Sequence, residues 1–229
     1  PDDVPAPCRV RGLDGASILQ IAVGLFHTLF LVEEEGTGRG MLFSAGANEV
    51  GQLGRGGTDL RMSDRSPCLV PALSGENVLC VAAGWDFSLA ILEGGKVVGW
   101  GWDRKGQLGM GIQVVEGAGG CKEGYDMFCE PRVIELPEEQ GGAARATVVA
   151  CGSLHCMIAT EGGRLYACGS NSNGQLGLGD KEDRRRMTRV SFFDGCEIRK
   201  IACGDEHTLV LLTNGTLFGF GKNQLGQLG

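Results

Sequence analysis

The apolar residues of this chain fall into short runs that recur in a fixed order. VLCVAA (78–83), SLAIL (88–92) and VVGWG (97–101) make one set. VVAC (148–151), CMIAT (156–160) and RLYACG (164–169) make a second, and TLVLL (208–212) with TLFGFG (216–221) belongs to a third. MLFSAG (41–46) is the related run nearer the start. Runs this short, apolar at consecutive positions and bounded by glycine, predict strands covered on both faces. Tight turns are predicted at EGGK (93–96), EGGR (161–164) and TNGT (213–216). Asn214-Gly215-Thr216 also matches a glycosylation acceptor, but Asn-Gly is the strongest hairpin dipeptide, and the turn is the preferred reading. Segments beginning PCRV (7), PCLV (67), PRVI (131) and MTRV (187) are candidate fourth strands, where proline suits an edge. No run carries a helical period.

Two anchors repeat around these strands. The first is GQLG, as Gly51-Gln52-Leu53-Gly54, Gly106-Gln107-Leu108-Gly109, Gly174-Gln175-Leu176-Gly177 and Gly226-Gln227-Leu228-Gly229, in steps of 55, 68 and 52 residues. The second is a glycine at 24, 84, 152 and 204, in steps of 60, 68 and 52. Three units share a 22-residue gap between anchors; the first has 27, which EEEGTGRG (33–40) explains as an enlarged turn. Self-similarity at this period marks a repeat architecture. The units run over approximately 7–54, 67–109, 131–177 and 187–229, with an insertion loop at 110–130. Gly117, Gly119 and Gly120 lead us to expect that Met110 to Pro131 projects as a loop.

Three or four antiparallel strands per unit, buried on both faces, predict an all-β propeller, in which small sheets stack radially and leave only short edges. The GQLG glycines are expected to supply positive backbone angles and the leucine to plug the space between blades. Asn48, Asp103, Asn171 and Asn223 each stand four residues before the GQLG glutamine, where such side chains close Asx-turns.

ACGSLHCMIAT followed by LYACGSNSNGQLGLGD resembles the repeat of the regulator of chromosome condensation family, and all four units carry the pattern. The resemblance implies a propeller of about seven blades. Four units are too few for that ring, so the chain is read as part of a longer protein, with free edges expected to promote association. The family's founding exchange factor opens the nucleotide site of a small GTPase with an inserted wedge. The 110–130 insertion is not visibly that element. The family also includes ubiquitin ligases, scaffolds and photoreceptors, so fold alone does not choose among them.

Composition narrows the picture. Forty glycines among 229 residues are more than twice the usual share and fit many tight turns. A net charge of −7 argues against chain-wide attraction to nucleic acid or acidic membranes and mildly favours a basic partner. Ten cysteines show no Cys-x-x-Cys pair and no zinc spacing. Small-residue settings such as Cys80, Cys151 and Cys203 read as buried reduced thiols, which leads us to expect an intracellular protein, cytoplasmic or nuclear. No secretory leader is visible, and the longest uncharged apolar run, ILQIAVGLFHTLFLV, is shorter than a membrane span and contains His27.

No phosphate loop, dinucleotide fingerprint or nucleophile–base arrangement is present, so no catalytic, cofactor or metal residues are assigned. KEDRRRMTR (181–189) reads as a solvated basic loop before it reads as a phosphate patch. His27, His155 and His207 each follow the anchor glycine by three residues, and Phe87 fills the fourth place. One histidine per blade excludes a compact histidine site and favours a repeated structural slot. Equivalent turns of a propeller gather on one face, and the resemblance implies that acidic and histidine residues of this turn face a small GTPase. His27, Trp85, Asp86, His155, Asp205, Glu206 and His207 are therefore the interaction candidates. A light-sensing branch of the family uses tryptophans clustered in such turns. Here only Trp85 occupies one, and light sensing is not expected. The reading is a protein-interaction propeller with a regulatory or scaffold role, or alternatively an exchange factor for a Ras-like GTPase.

Overall fold

The computed structural model describes residues 6–57, 64–111, 127–139 and 142–229, and no α-helix occurs among them. The described strands form four antiparallel sheets. The first contains β1 (Ile18–Val23), β2 (His27–Glu33), β3 (Gly40–Gly46) and β4 (Asp64–Leu69). The second contains β5 (Val78–Ala83), β6 (Phe87–Leu92), β7 (Val97–Trp102) and β8 (Met127–Val133). The third contains β9 (Ala146–Cys151), β10 (His155–Thr160), β11 (Leu165–Gly169) and β12 (Arg184–Arg189). The fourth contains β13 (Ile198–Cys203), β14 (His207–Leu212) and β15 (Leu217–Gly221). Each is a meander in chain order, and the first strands β1, β5, β9 and β13 lie side by side in succession. These are propeller blades, with first strands innermost.

The burial pattern follows from that stacking. β6 and β10 are buried at every position because both their faces meet another blade. β14 alternates between half-buried and buried, since only one of its faces meets a described blade. Three apolar clusters fill the joints. Leu29, Leu31 and Leu42 meet Val81, Val98 and Trp100 at the first joint. Phe87, Leu89 and Leu108 meet Ile158, Tyr166 and Cys168 at the second. Met157, Ala167 and Leu176 meet Val210, Phe218 and Phe220 at the third.

The GQLG turn is cross-braced. The side chain of Asp103 accepts from the Leu108 N–H at 2.8 Å, and Gln107 Oε1 accepts from the Lys105 N–H at 2.8 Å. Asn48, Asn171 and Asn223 accept from Leu53, Leu176 and Leu228 at 3.1, 3.0 and 2.9 Å. The expected Asx-turn is thus a longer clasp, reaching five residues ahead. All eight GQLG glycines have positive φ, such as 79° at Gly106 and 68° at Gly109.

Three expectations need correction. The candidate fourth strands do not begin at the quoted segments: β4, β8 and β12 start several residues earlier and close the preceding sheet. Sequence repeat and spatial blade are out of phase by one strand. Met127 to Pro131, read as part of a loop, lies in β8, because Met127 and Phe128 pair with Trp102 and Gly101 of β7. The remainder of that predicted loop, 112–126, lies outside the described residues. Lys181–Arg189 is not all loop either, since Arg184–Arg189 is β12, paired through Tyr166↔Arg189 and Ala167↔Thr188.

The anchor glycines are set by sterics. A Cβ on Gly152 would lie 2.1 Å from His155 Cε1 and 2.6 Å from the Gly204 carbonyl oxygen. Gly152→Ala should therefore destabilise the chain by about 3 kcal/mol. Gly75→Ala, whose Cβ meets nothing within 4 Å, should stay near the parent, as urea melts of the two variants would show.

Candidate functional site

The turn between the first and second strands of each blade forms a tip, and the tips are tied in series. The Leu25 N–H donates to the Trp85 carbonyl at 3.1 Å, Trp85 to Ser153 at 3.3 Å, and Ser153 to Asp205 at 3.3 Å. Ser153 Oγ also donates to the Asp205 carbonyl at 2.6 Å. Within each tip the glycine N–H donates to the carbonyl three residues on, as in Gly24 to His27 at 2.8 Å and Gly84 to Phe87 at 2.9 Å. This linkage fixes all four tips at the same end of the arc. The side chains it displays are apolar in the first two blades, with Leu25, Phe26 and Trp85 exposed by 48%, 64% and 43%.

The acidic candidates border that surface. Asp86 is half-buried and accepts from Gln52 Nε2 at 3.4 Å. Desolvation, with the nearby Glu49 charge, raises its pKa above the ordinary aspartate value. Asp205 is exposed, while Glu206 is partly buried and accepts a hydrogen bond from Lys222, whose own pKa is raised by that bond. These groups form an acidic margin beside the aromatic tips.

The histidines divide differently from the sequence-based set. His27 and His155 are 2% and 0% exposed, so neither is displayed at the tip surface; the imidazoles turn into the joint between blades. His27 Nε2 meets Ser88 Oγ at 2.8 Å, and His155 Nε2 meets Thr208 Oγ1 at 3.0 Å. Ser88 Oγ in turn donates to the Gln52 carbonyl at 3.1 Å, and Thr208 Oγ1 to the Gln175 carbonyl at 2.8 Å. A hydroxyl has one proton to give, so it must accept from Nε2–H, which assigns the tautomer. Nδ1 of both rings is then a bare lone pair, and in both it is buried without a partner among the described residues. Burial depresses each pKa from 6.5 to about 4, with nearby His207 adding to the effect at His155. His207 occupies the same slot on the outward side of the fourth blade and is half-buried.

Phe87 explains itself at this level. It points into the second joint, where the position taken elsewhere by Ser88 and Thr208 is Cys156. Imidazole on hydroxyl has become phenyl beside thiol. The Gln107 carbonyl still finds a donor, Cys168 Sγ at 3.2 Å, and Cys156 Sγ lies 3.4 Å from Cys168 Sγ. Burial drives the Cys168 thiol well above its ordinary pKa, so it remains protonated to donate. In the first joint Trp100 Nε1 is a second donor to Gln52 at 2.9 Å. Sequence reasoning missed these hydroxyl, thiol and carbonyl partners. The available signal was the residue after each His or Phe: Thr28, Ser88, Cys156 and Thr208.

Radial sheets of three or four strands, clasped by GQLG turns and joined through Gly-x-x-His or Gly-x-x-Phe slots, define a blade-repeat β-propeller. The chain belongs to the regulator of chromosome condensation (RCC1) repeat family: one model of that repeat matches residues 39–91, 94–159 and 162–211, and a second matches 78–107, 147–175 and 198–227. The ultraviolet-B receptor UVR8 of Arabidopsis thaliana is 34% identical over 227 residues, covering 99% of this chain and 46% of its own. The human probable E3 ubiquitin-protein ligase HERC3 is 31% identical over 229 residues, covering 100% of this chain and 20% of its own. Human WBSCR16 is similar in structure, with a TM-score of 0.75 and 27% identity over 97% of this chain and 52% of its own. Prp20p from Saccharomyces cerevisiae, described with its binding properties to Gsp1p and histones, gives 0.71 and 25% over 94% of this chain and 48% of its own. The chain thus spans about half the length, or less, of these relatives. No helix among the described residues is long and apolar enough to cross a membrane.

Two measurements test the slots. A folded-state pKa below the unfolded 6.5 means that neutral His27 and His155 stabilise fully above pH 6.5, and that this is lost as pH falls toward 4. From pH 7 to 5 the loss should be roughly 2 kcal/mol per histidine. His27→Gln/His155→Gln should flatten that part of a stability–pH curve from urea melts. Separately, Phe87→His should destabilise the second joint, and adding Cys156→Thr should recover about 1 kcal/mol or more in a double-mutant cycle.

Proposed function

We propose that this chain is a protein-interaction module whose binding face is the row of tips. The observation that carries the reading is the serial hydrogen bonding from Leu25 to Trp85 to Ser153 to Asp205, which rigidly presents exposed Leu25, Phe26 and Trp85 beside an acidic margin. Aromatic side chains held on a stiff scaffold lose little conformational entropy on binding, and charges at the margin select the partner's sign. Asp86, Asp205 and Glu206 suit a basic partner surface. His207 belongs to this face only through its half-exposed edge. His27 and His155 act on it indirectly, by fixing the blades that carry the tips.

A narrower reading is guanine nucleotide exchange on a Ras-like small GTPase, as the family's founding member performs it. The acidic margin at Asp86, Asp205 and Glu206 favours it. Exchange of this kind needs no bond chemistry. The face would bind the opened, nucleotide-free state more tightly than the closed one, and that difference in affinity sets the shift.

The test uses Trp85→Ala and Asp205→Ala, both at exposed positions whose side chains lie outside the joints. Each should weaken capture of the partner by about tenfold or more while the thermal midpoint stays unchanged. Release of a fluorescent guanine nucleotide from a panel of small GTPases separates the two readings. Acceleration lost in both variants supports exchange, whereas partner binding without acceleration leaves the module reading alone. Full partner binding by both variants would defeat the tip face altogether.

A further inference from the structure

A second surface lies on the rim, away from the tips, where the outer strands of the second and third blades converge. β8 and β12 flank a cleft of about 680 Å³. Its floor is apolar: Met110, Leu136 and Met187, all packed on the cluster that fills the second joint. Pro131 and Pro137 stiffen one wall. The Gly111 N–H donates to the Arg185 carbonyl at 2.8 Å, and Met110 bridges to Arg186, so the floor is held from both blades.

The charge of this cleft runs against that of the chain. The sequence carries −7 overall, yet Arg132 and Arg186 line the cleft and both are exposed. Neighbouring cations are already matched: Lys105 pairs with Asp183 at 2.8 Å, Arg184 with Asp180 at 2.5 Å, and Arg189 with Asp194 at 2.6 Å. Among the described residues no carboxylate lies within ion-pair distance of Arg132 or Arg186. Arg132 lies against the Phe128 ring at 5.8 Å, and Arg186 lies across Gly111, so both guanidinia have a supporting surface. Glu135 is the single acidic residue of the lining among the described residues.

We infer that this cleft docks an acidic peptide segment in which an apolar side chain stands next to a carboxylate. The methionines adapt to the apolar side chain, and the guanidinia take the carboxylate in a forked hydrogen bond. A nucleic-acid backbone fits less well, because it needs a longer row of cations than two, and it gains nothing from an apolar floor.

The experiment titrates the intact chain with a short fluorescent peptide alternating leucine and glutamate, read by anisotropy. Saturable binding is expected, weakening by about tenfold or more in Arg132→Glu/Arg186→Glu, and likewise for peptides with Gln for Glu or Ser for Leu. Binding by the unaltered chain should also fall with added salt, a readout that needs no variant. Trp85→Ala should leave the affinity unchanged, which separates this site from the tip face. The proposal is overturned by absence of saturable binding, by equal binding of the leucine-free peptide, or by indifference to charge reversal in a chain that still melts normally. Tighter binding of a single-stranded oligonucleotide would also overturn it. So would a tenfold gain on deleting residues 112–126, since the chain's own segment would then be the occupant.

Discussion

The arrangement depends on the main-chain carbonyl of the GQLG glutamine. It lies in a buried joint between blades, where an unpaired acceptor would cost on the order of 1–3 kcal/mol. Each joint supplies a donor from the following blade: Ser88 and Trp100 for Gln52, Cys168 for Gln107, Thr208 for Gln175. Because the donor belongs to one blade and the acceptor to another, satisfying the carbonyl fixes the spacing and rotation between them. In the first and third joints the imidazole completes the arrangement by donating to the hydroxyl whose own hydrogen is engaged with that carbonyl.

From that constraint the tip face follows. The same second strand that carries Ser88 or Thr208 begins one residue after its tip, so fixing the joint fixes the tip. Positioning is therefore done by buried groups, and recognition is left to exposed ones. Gln52 touches both roles, its carbonyl in the joint and its side chain on Asp86. The clasp of Asp103 on the Leu108 N–H serves the same end, holding the glutamine carbonyl where the next blade can reach it.

Strands, turns, GQLG leucines and the common end of the tips were legible in the sequence because each repeats, and a repeat converts weak local signals into a strong one. What repeats only as a chemical class was hidden. Ser88, Cys156 and Thr208 look like small tolerated residues inside apolar runs, and only the joint shows that they are partners of His27, Phe87 and His155. For His27 and His155 the sequence favours a repeated structural slot, and only the family resemblance makes them interaction candidates, since a histidine at the start of a strand gives no indication of which way its ring turns. β8 was partly missed because Pro131 was read as a beginning. A proline in an edge strand can equally stand past the middle, where its missing N–H faces outward.

The second joint differs from its neighbours in one respect: Phe87 against Cys156 carries no base. Protons can therefore attack the first and third joints through His27 and His155 but find nothing to titrate in the same slot between them. Acidification should weaken the first and third joints through their histidines while leaving this slot of the second joint unchanged. A repeat protein is often treated as a row of equal links. In this one a single aromatic residue, Phe87, makes one link differ from the others in its response to protons.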